Sequence, residues 1–176
     1  KIYSNFDEAV ADIPDGATIM FPGFGGVGAP PNLIGALHRL GVKNLTGISN
    51  GAGGTDGRMD VGTLVEAGQL KKMICAFTHP SRISPFVRMY NNDEIDAELV
   101  PQGTLAERIR AAAFGIGGFY TPTSVGTELA EGKEHREIDG RTYVLEYALH
   151  ADYAFVRAWK ADILGNLQFR MAGRSF

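Results

Sequence analysis

Between residues 17 and 114 the chain alternates short apolar, β-rich runs with stretches of helical periodicity, and few folds accept that rhythm. The spacing predicts strands over 17–22, 45–49, 73–77 and 96–100, separated by helices over 31–40, 60–67 and 83–91 and followed by one over 104–113. Parallel neighbours need a crossover connection, and a helix is its usual form, so the pattern calls for βαβ units. The expected fold class is α/β: a single domain spanning 1–176, with a mainly parallel open sheet and helices on both faces. The length of 176 residues and 44% hydrophobic content allow one substantial core and demand no second domain. Ligands of such sheets bind beyond the carboxyl ends of the strands.

The loop after the first predicted strand reads Pro22-Gly23-Phe24-Gly25-Gly26-Val27-Gly28-Ala29-Pro30-Pro31. Glycines take positive φ without penalty, so such a loop can turn N–H groups toward an anion near the positive end of the next helix. The letters also spell G-x-G-x-x-G. A dinucleotide fingerprint needs a helix that begins inside the motif and an acid closing the second strand. Pro30 and Pro31 instead place the helix start after the last glycine, and the second strand runs into Asn50 and Gly51. A different phosphate-bearing or thioester ligand is favoured, with a purely structural turn as the alternative. Asn50 is expected on the same rim as the glycines.

The net charge of −3 comes from interspersed signs, which leaves no electrostatic footprint for nucleic acid or an anionic membrane. Cys75, the single cysteine, lies in the apolar run Met73-Ile74-Cys75-Ala76-Phe77 and reads as a buried strand residue. With no signal peptide and no apolar run near 18 residues, a cytoplasmic setting is expected. Because the chain starts at Lys1 and stops at Phe176, further residues are expected at both ends. His38, His79, His135 and His150 have no metal-site spacing, so no metal is expected, and no G-x-S-x-G elbow suggests a serine nucleophile.

Residues 115–123, rich in glycine and proline, read as a long loop. Asp139-Gly140 predicts a hairpin turn between 136–138 and 141–146, and further strands are expected over 153–158 and 167–170. Thr104 and Glu107 have capping-box spacing, which puts Gln102 just ahead of a helix start, at the end of a strand. There its amide suits two roles equally: capping a loop, or holding the oxygen of a polarised carbonyl. His79 and Arg82 follow the strand ending at Phe77 and can face the same rim, although simple surface exposure also accounts for them.

Taken together, several stretches resemble the α subunit of the family I CoA-transferases. They are Asp15 to Pro30, Asn32-Leu33-Ile34-Gly35-Ala36-Leu37, Val100 to Arg110, Phe119-Tyr120-Thr121-Pro122-Thr123, Ala130 to Glu134 and Trp159 to Leu167. The likeness covers essentially the whole chain and is nearest in type to the succinyl-CoA:3-oxoacid and 3-oxoadipate enzymes. It implies a CoA-transferase/NagB-RpiA-like fold and a homologous β subunit that carries the nucleophilic glutamate, in a heterodimer or heterotetramer. It also implies coenzyme A as substrate, with no permanently bound cofactor, and carboxylic acids as acyl acceptors. Residues 22–28 are then implied in CoA binding, Gln102 in oxyanion stabilisation, and Asn50, His79 and Arg82 in substrate binding, with Arg82 on a distal carboxylate. An acyl-CoA hydrolase or lyase on the same scaffold, or a non-catalytic partner subunit, is the alternative. Departures from the family pattern stand at Pro22, Ala112, Ala113, Phe114, Ser124 and Ser175.

Overall fold

All four strands expected in the N-terminal half form, and a fifth joins their sheet from near the other end of the chain. The computed structural model describes residues 1–54, 57–78 and 84–174. In chain order its helices are α1 (Phe6–Val10), α2 (Pro31–Leu40), α3 (Val61–Glu66), α4 (Pro85–Asn91) and α5 (Gln102–Ala113). Its strands are β1 (Thr18–Met20), β2 (Leu45–Gly51), β3 (Leu70–Phe77), β4 (Asp96–Leu99), β5 (Gly118–Thr121), β6 (His135–Ile138), β7 (Arg141–Tyr147), β8 (Tyr153–Ala154), β9 (Lys160–Ala161) and β10 (Leu167–Gln168). These elements fall into two units, Lys1–Glu98 with Ala151–Phe176, and Leu99–His150.

The first unit is built on a sheet of order β4-β3-β2-β1-β8, in which β1 runs parallel to both β2 and β8, and β2 parallel to β3. The fold is therefore mixed α/β with a mainly parallel central sheet. Ile19, Leu45, Met73 and Cys75 from the strands pack with Ile34, Ala36 and Leu37 of α2 and with Leu64 and Val65 of α3. Each large apolar side chain so buried contributes about 1.5–3 kcal/mol. Burial also pushes the Cys75 thiol up to about 11, so it stays protonated and inert, as its place in an apolar run predicts.

Local chemistry fixes the helix ends. Pro31 occupies the first turn of α2, where its missing N–H costs nothing, and Gly41 closes the helix at φ 76°. Beneath that end the buried Gln69 donates to the carbonyls of Leu37 and Val42, at 3.2 and 3.1 Å, and meets His38 Nδ1 at 2.8 Å. Pro85 opens α4, where Ser84 Oγ accepts the Val87 N–H at 3.2 Å. One helix that the periodicity does not reveal, α1, is only five residues long and is capped by Asn5, whose side chain accepts the Glu8 N–H.

In the second unit β5, β7 and β6 form an antiparallel sheet in that order. Asp139 and Gly140 both have positive φ (50° and 73°), so the expected tight hairpin is present. Two expectations are corrected here. Residues 118–121 are not loop but the edge strand β5: Gly118 allows it, since a Cβ there would lie 2.8 Å from the Glu146 carbonyl oxygen. Nor is there a capping box. The α5 helix starts two residues early, at Gln102, behind Pro101; Thr104 is buried inside it, and Glu107 pairs with Arg110 at 2.6 Å. On the sheet, the Glu146 carboxylate is buried between Lys133 (2.5 Å) and, more loosely, Arg108 (3.9 Å). Arg108 also donates to the Tyr147 carbonyl at 2.9 Å, which ties α5 to β7.

The expected strand over 153–158 shortens to the two residues of β8, and that over 167–170 to β10, which pairs antiparallel with β9. Their hairpin is closed by Asp162, which accepts the N–H groups of Leu164 and Asn166 at 2.9 Å each.

Candidate functional site

The strand β1 sits between β2, which follows it in the chain, and β8, which arrives from far downstream. Loops leaving such neighbours diverge, and the opening between them is where parallel sheets take ligands. The glycine loop leaves β1 at that point. Its exit is pinned by Phe21 N–H donating to the Ile48 carbonyl at 2.8 Å and by Phe155 N–H donating to the Met20 carbonyl at 2.9 Å. The Phe21 and Phe155 rings meet edge to face at 5.5 Å beneath it. Pro22, which has no N–H to donate, ends the ladder at the next residue.

Gly23, Gly25, Gly26 and Gly28 all take positive φ, at 120°, 56°, 81° and 88°. Around Gly25-Gly26, Phe24 and Val27 exchange both backbone hydrogen bonds, at 2.9 and 3.0 Å. Positive φ at both central residues makes this a two-residue hairpin of the type I′ kind. Two of the N–H groups expected to face an anion are thus used to close the turn. The tip instead offers apolar surface, with Phe24 54% and Val27 47% exposed. At its base a Cβ on Gly23 would lie 3.0 Å from the Val27 carbonyl oxygen, so the loop needs glycine there to fold back on itself.

Two arginines that sequence patterns do not single out bracket this loop. Arg58 lies against Gly26, where an added Cβ would be 3.0 Å from its Nη1. Arg157, just past β8, donates from Nη1 to the Ala29 carbonyl at 3.2 Å. No motif announces either residue, because each meets the loop only through the sheet order. Asp60 carries a readable signal, an acid directly before an apolar helical run. Only 8% exposed, it accepts the Gly62 N–H at 2.8 Å to cap α3, and the Gly54 N–H at 2.9 Å.

Asn50 lies near the end of β2, 4% exposed, on the same carboxyl rim as the glycine loop. The paired residues Gly51 and Phe77 continue the rim across to β3. His79 and Arg82 lie outside the described residues. In the other unit, Gln102 is the first residue of α5, and it is exposed there rather than closing a strand. The first intrahelical bond, from Leu105 N–H to the Pro101 carbonyl at 2.8 Å, spans it. Its amide therefore stands at the positive end of a helix of 12 residues. Across the first unit, the rim combines an exposed apolar tip, two guanidinium groups and a buried carboxamide. Such a surface suits a ligand with both apolar and anionic parts.

Comparison with known proteins bears on what that ligand is. Residues 3–176 match the family model described as Coenzyme A transferase. The chain is 50% identical over all of its length to the A subunit of 3-oxoadipate CoA-transferase from Pseudomonas putida, spanning 75% of that relative. It is 49% identical over its full length to the A subunit of a probable succinyl-CoA:3-ketoacid coenzyme A transferase from Bacillus subtilis (strain 168), spanning 72% of it. Among solved structures, a variant of the decarboxylase AibA/AibB superposes with a TM-score of 0.79 at 27% identity, over 94% of this chain and 65% of that one. A family match from residue 3 onward and full-length relatives at about half identity lead to one conclusion: the chain belongs to the coenzyme A transferase family.

Proposed function

We propose that this chain is the α subunit of a heteromeric cytoplasmic CoA-transferase, with residues 1–176 serving as one functional α-subunit domain. It moves CoA between an acyl-CoA such as succinyl-CoA and a 3-oxoacid such as acetoacetate or 3-oxoadipate. The observation that carries this is the glycine hairpin at the β1 switch point, within a chain that matches two A-subunit relatives over its whole length. The nucleophile is a glutamate of a homologous β subunit. Its carboxylate attacks the thioester carbonyl, expelling CoA thiolate and forming an acyl-glutamyl anhydride. The thiolate then attacks the glutamyl carbonyl and releases the acyl carboxylate, leaving a glutamyl-CoA thioester. Attack by the acceptor carboxylate reverses the two steps on the new acid, which is covalent catalysis in two half-reactions.

In this scheme Gln102 donates an amide N–H to the carbonyl oxygen as negative charge grows on it, beside the positive end of α5. Residues 22–28 hold CoA, with Phe24 and Val27 against its apolar arm, and Asn50, His79 and Arg82 contact substrate. A second chemistry, an acyl-CoA hydrolase or lyase, draws support from the decarboxylase among the structural neighbours. The two separate on one assay. Labelled free acid and unlabelled acyl-CoA are incubated with the chain plus its β subunit. Label appearing in acyl-CoA supports transfer; release of acid or carbon dioxide with no label exchange refutes it.

A further inference from the structure

Among the described residues two carboxylates are buried, Asp60 and Glu146, and only the first is accounted for by a helix cap. Glu146 lies on β7, 2% exposed, on the face it shares with the fully buried Val144. Its Oε1 takes the Lys133 ammonium at 2.5 Å, and its Oε2 lies 3.9 Å from Arg108 Nε on α5. Taking these charges out of water is costly, and well-packed apolar side chains are often as stable in their place. What the charges add is register, because a helix that slips along the sheet leaves its partners behind.

Arg108 is the point at which α5 is fastened. Its side chain, 12% exposed, donates from Nε to the Tyr147 carbonyl at 2.9 Å, and its own carbonyl accepts the Leu149 N–H at 2.9 Å. Backbone and side chain of one residue thus join α5 to the end of β7 and the residues after it. Gln102 stands six residues earlier on the same helix, about 9 Å along its axis, and Thr104 and Leu105 are buried between them. A slip of α5 by one residue would move Gln102 about 1.5 Å and turn it by about 100°. Misplacement by about 1 Å can cost about a hundredfold in rate.

We propose that Glu146 is a positioning residue for catalysis: through Arg108 it holds α5 in the register that sets the Gln102 amide at the reacting carbonyl. The inference rests on the oxyanion role of Gln102. Lys133 holds the other carboxylate oxygen, and its own N–H donates to the Ala130 carbonyl at 3.2 Å, so Glu146 is tethered from both sides. Glu146→Gln keeps the shape of the side chain and removes the charge that faces Arg108. The guanidinium then gains by moving toward water, and α5 moves with it.

The test uses the chain assembled with its β subunit, as wild type, Glu146→Gln, Glu146→Asp and Arg108→Lys, each with Gln102 intact and as Gln102→Ala. kcat and KM are measured with succinyl-CoA as donor and acetoacetate as acceptor. With Gln102 intact, Glu146→Gln lowers kcat at least about tenfold and leaves KM for succinyl-CoA within about twofold, Glu146→Asp recovers part of the rate, and Arg108→Lys follows Glu146→Gln. In the Gln102→Ala background the same substitutions change kcat by less than about twofold, because the group they position is gone. Loss by the same factor in both backgrounds, or wild-type kcat in Glu146→Gln and Arg108→Lys, overturns the inference. If Glu146→Gln does not fold and assemble, Arg108→Lys in the two backgrounds decides by the same criteria. Wild-type turnover in Gln102→Ala defeats the oxyanion role and the inference with it, whereas a slow Gln102→Ala that shows no coupling to Glu146 defeats the inference alone.

Discussion

Replacing Asp60 by alanine removes one carboxylate that holds two backbone groups at once. One oxygen caps α3 through Gly62 N–H at 2.8 Å, and the other takes Gly54 N–H at 2.9 Å. The α3 helix has only six residues, too few to stand without its cap and its packing. Losing an N-cap costs about 0.5–2 kcal/mol, and an orphaned buried N–H costs about 1–3 kcal/mol. The sum expected for Asp60→Ala is about 2–4 kcal/mol, seen as a drop in Tm of about 6–12 °C for a chain of this size. Asp60→Asn keeps one acceptor oxygen and should lose about half as much. Urea and thermal unfolding of both variants measure the stability term. Unfolding free energies within about 0.5 kcal/mol of wild type for Asp60→Ala would refute the capping role of Asp60.

Other consequences can be checked separately. Gln102→Ala in the assembled pair should lower kcat about ten- to a thousandfold with little change in CoA affinity, and wild-type turnover would defeat the oxyanion role. Ser124 sits at φ 75°, a left-handed conformation costing a non-glycine residue about 1–2 kcal/mol. Ser124→Gly should therefore stabilise the chain by about 0.5–1 kcal/mol after glycine's greater freedom when unfolded is deducted, and a loss of stability would refute this. Asp162 is held below the ordinary carboxylate range, first by the Asn166 side chain and then by the backbone N–H groups of Asn166, Leu164 and Gly165. A lowered folded pKa means the hairpin's support is present above the ordinary range and fades as pH falls through the folded value. Protection factors of the Leu164 and Asn166 amides, measured against their intrinsic exchange rates, should fall on that acid side, and unchanged protection down to about pH 2 would contradict it.

What the sequence makes legible follows from how locally each feature is determined. The α2 helix agrees with its expected bounds because Pro31 and Gly41 mark both ends chemically. The Asp139-Gly140 turn is equally local. Gln102 is harder, since the same four letters that suggest a capping box at Thr104 also permit a helix starting directly after Pro101, and packing of Thr104 and Leu105 decides between them. The β5 strand hides in a glycine-rich stretch because its pairing with β7 is a long-range event that local propensity does not record. The glycine loop is visible as a loop, yet its closure by Phe24 and Val27 is not. Arg58, beside Gly26 in the fold, lies 32 positions away in the chain, with α2 and β2 between them.

The central claim is that this chain shapes and charges a CoA site whose nucleophile belongs to its partner. Incubating the assembled pair with acyl-CoA and no added acceptor, then measuring the mass of each intact chain, tests it directly. The account predicts a mass increase equal to bound CoA less water on the β subunit, with this chain unmodified. A CoA or acyl adduct on this chain, or turnover by this chain alone, would contradict it.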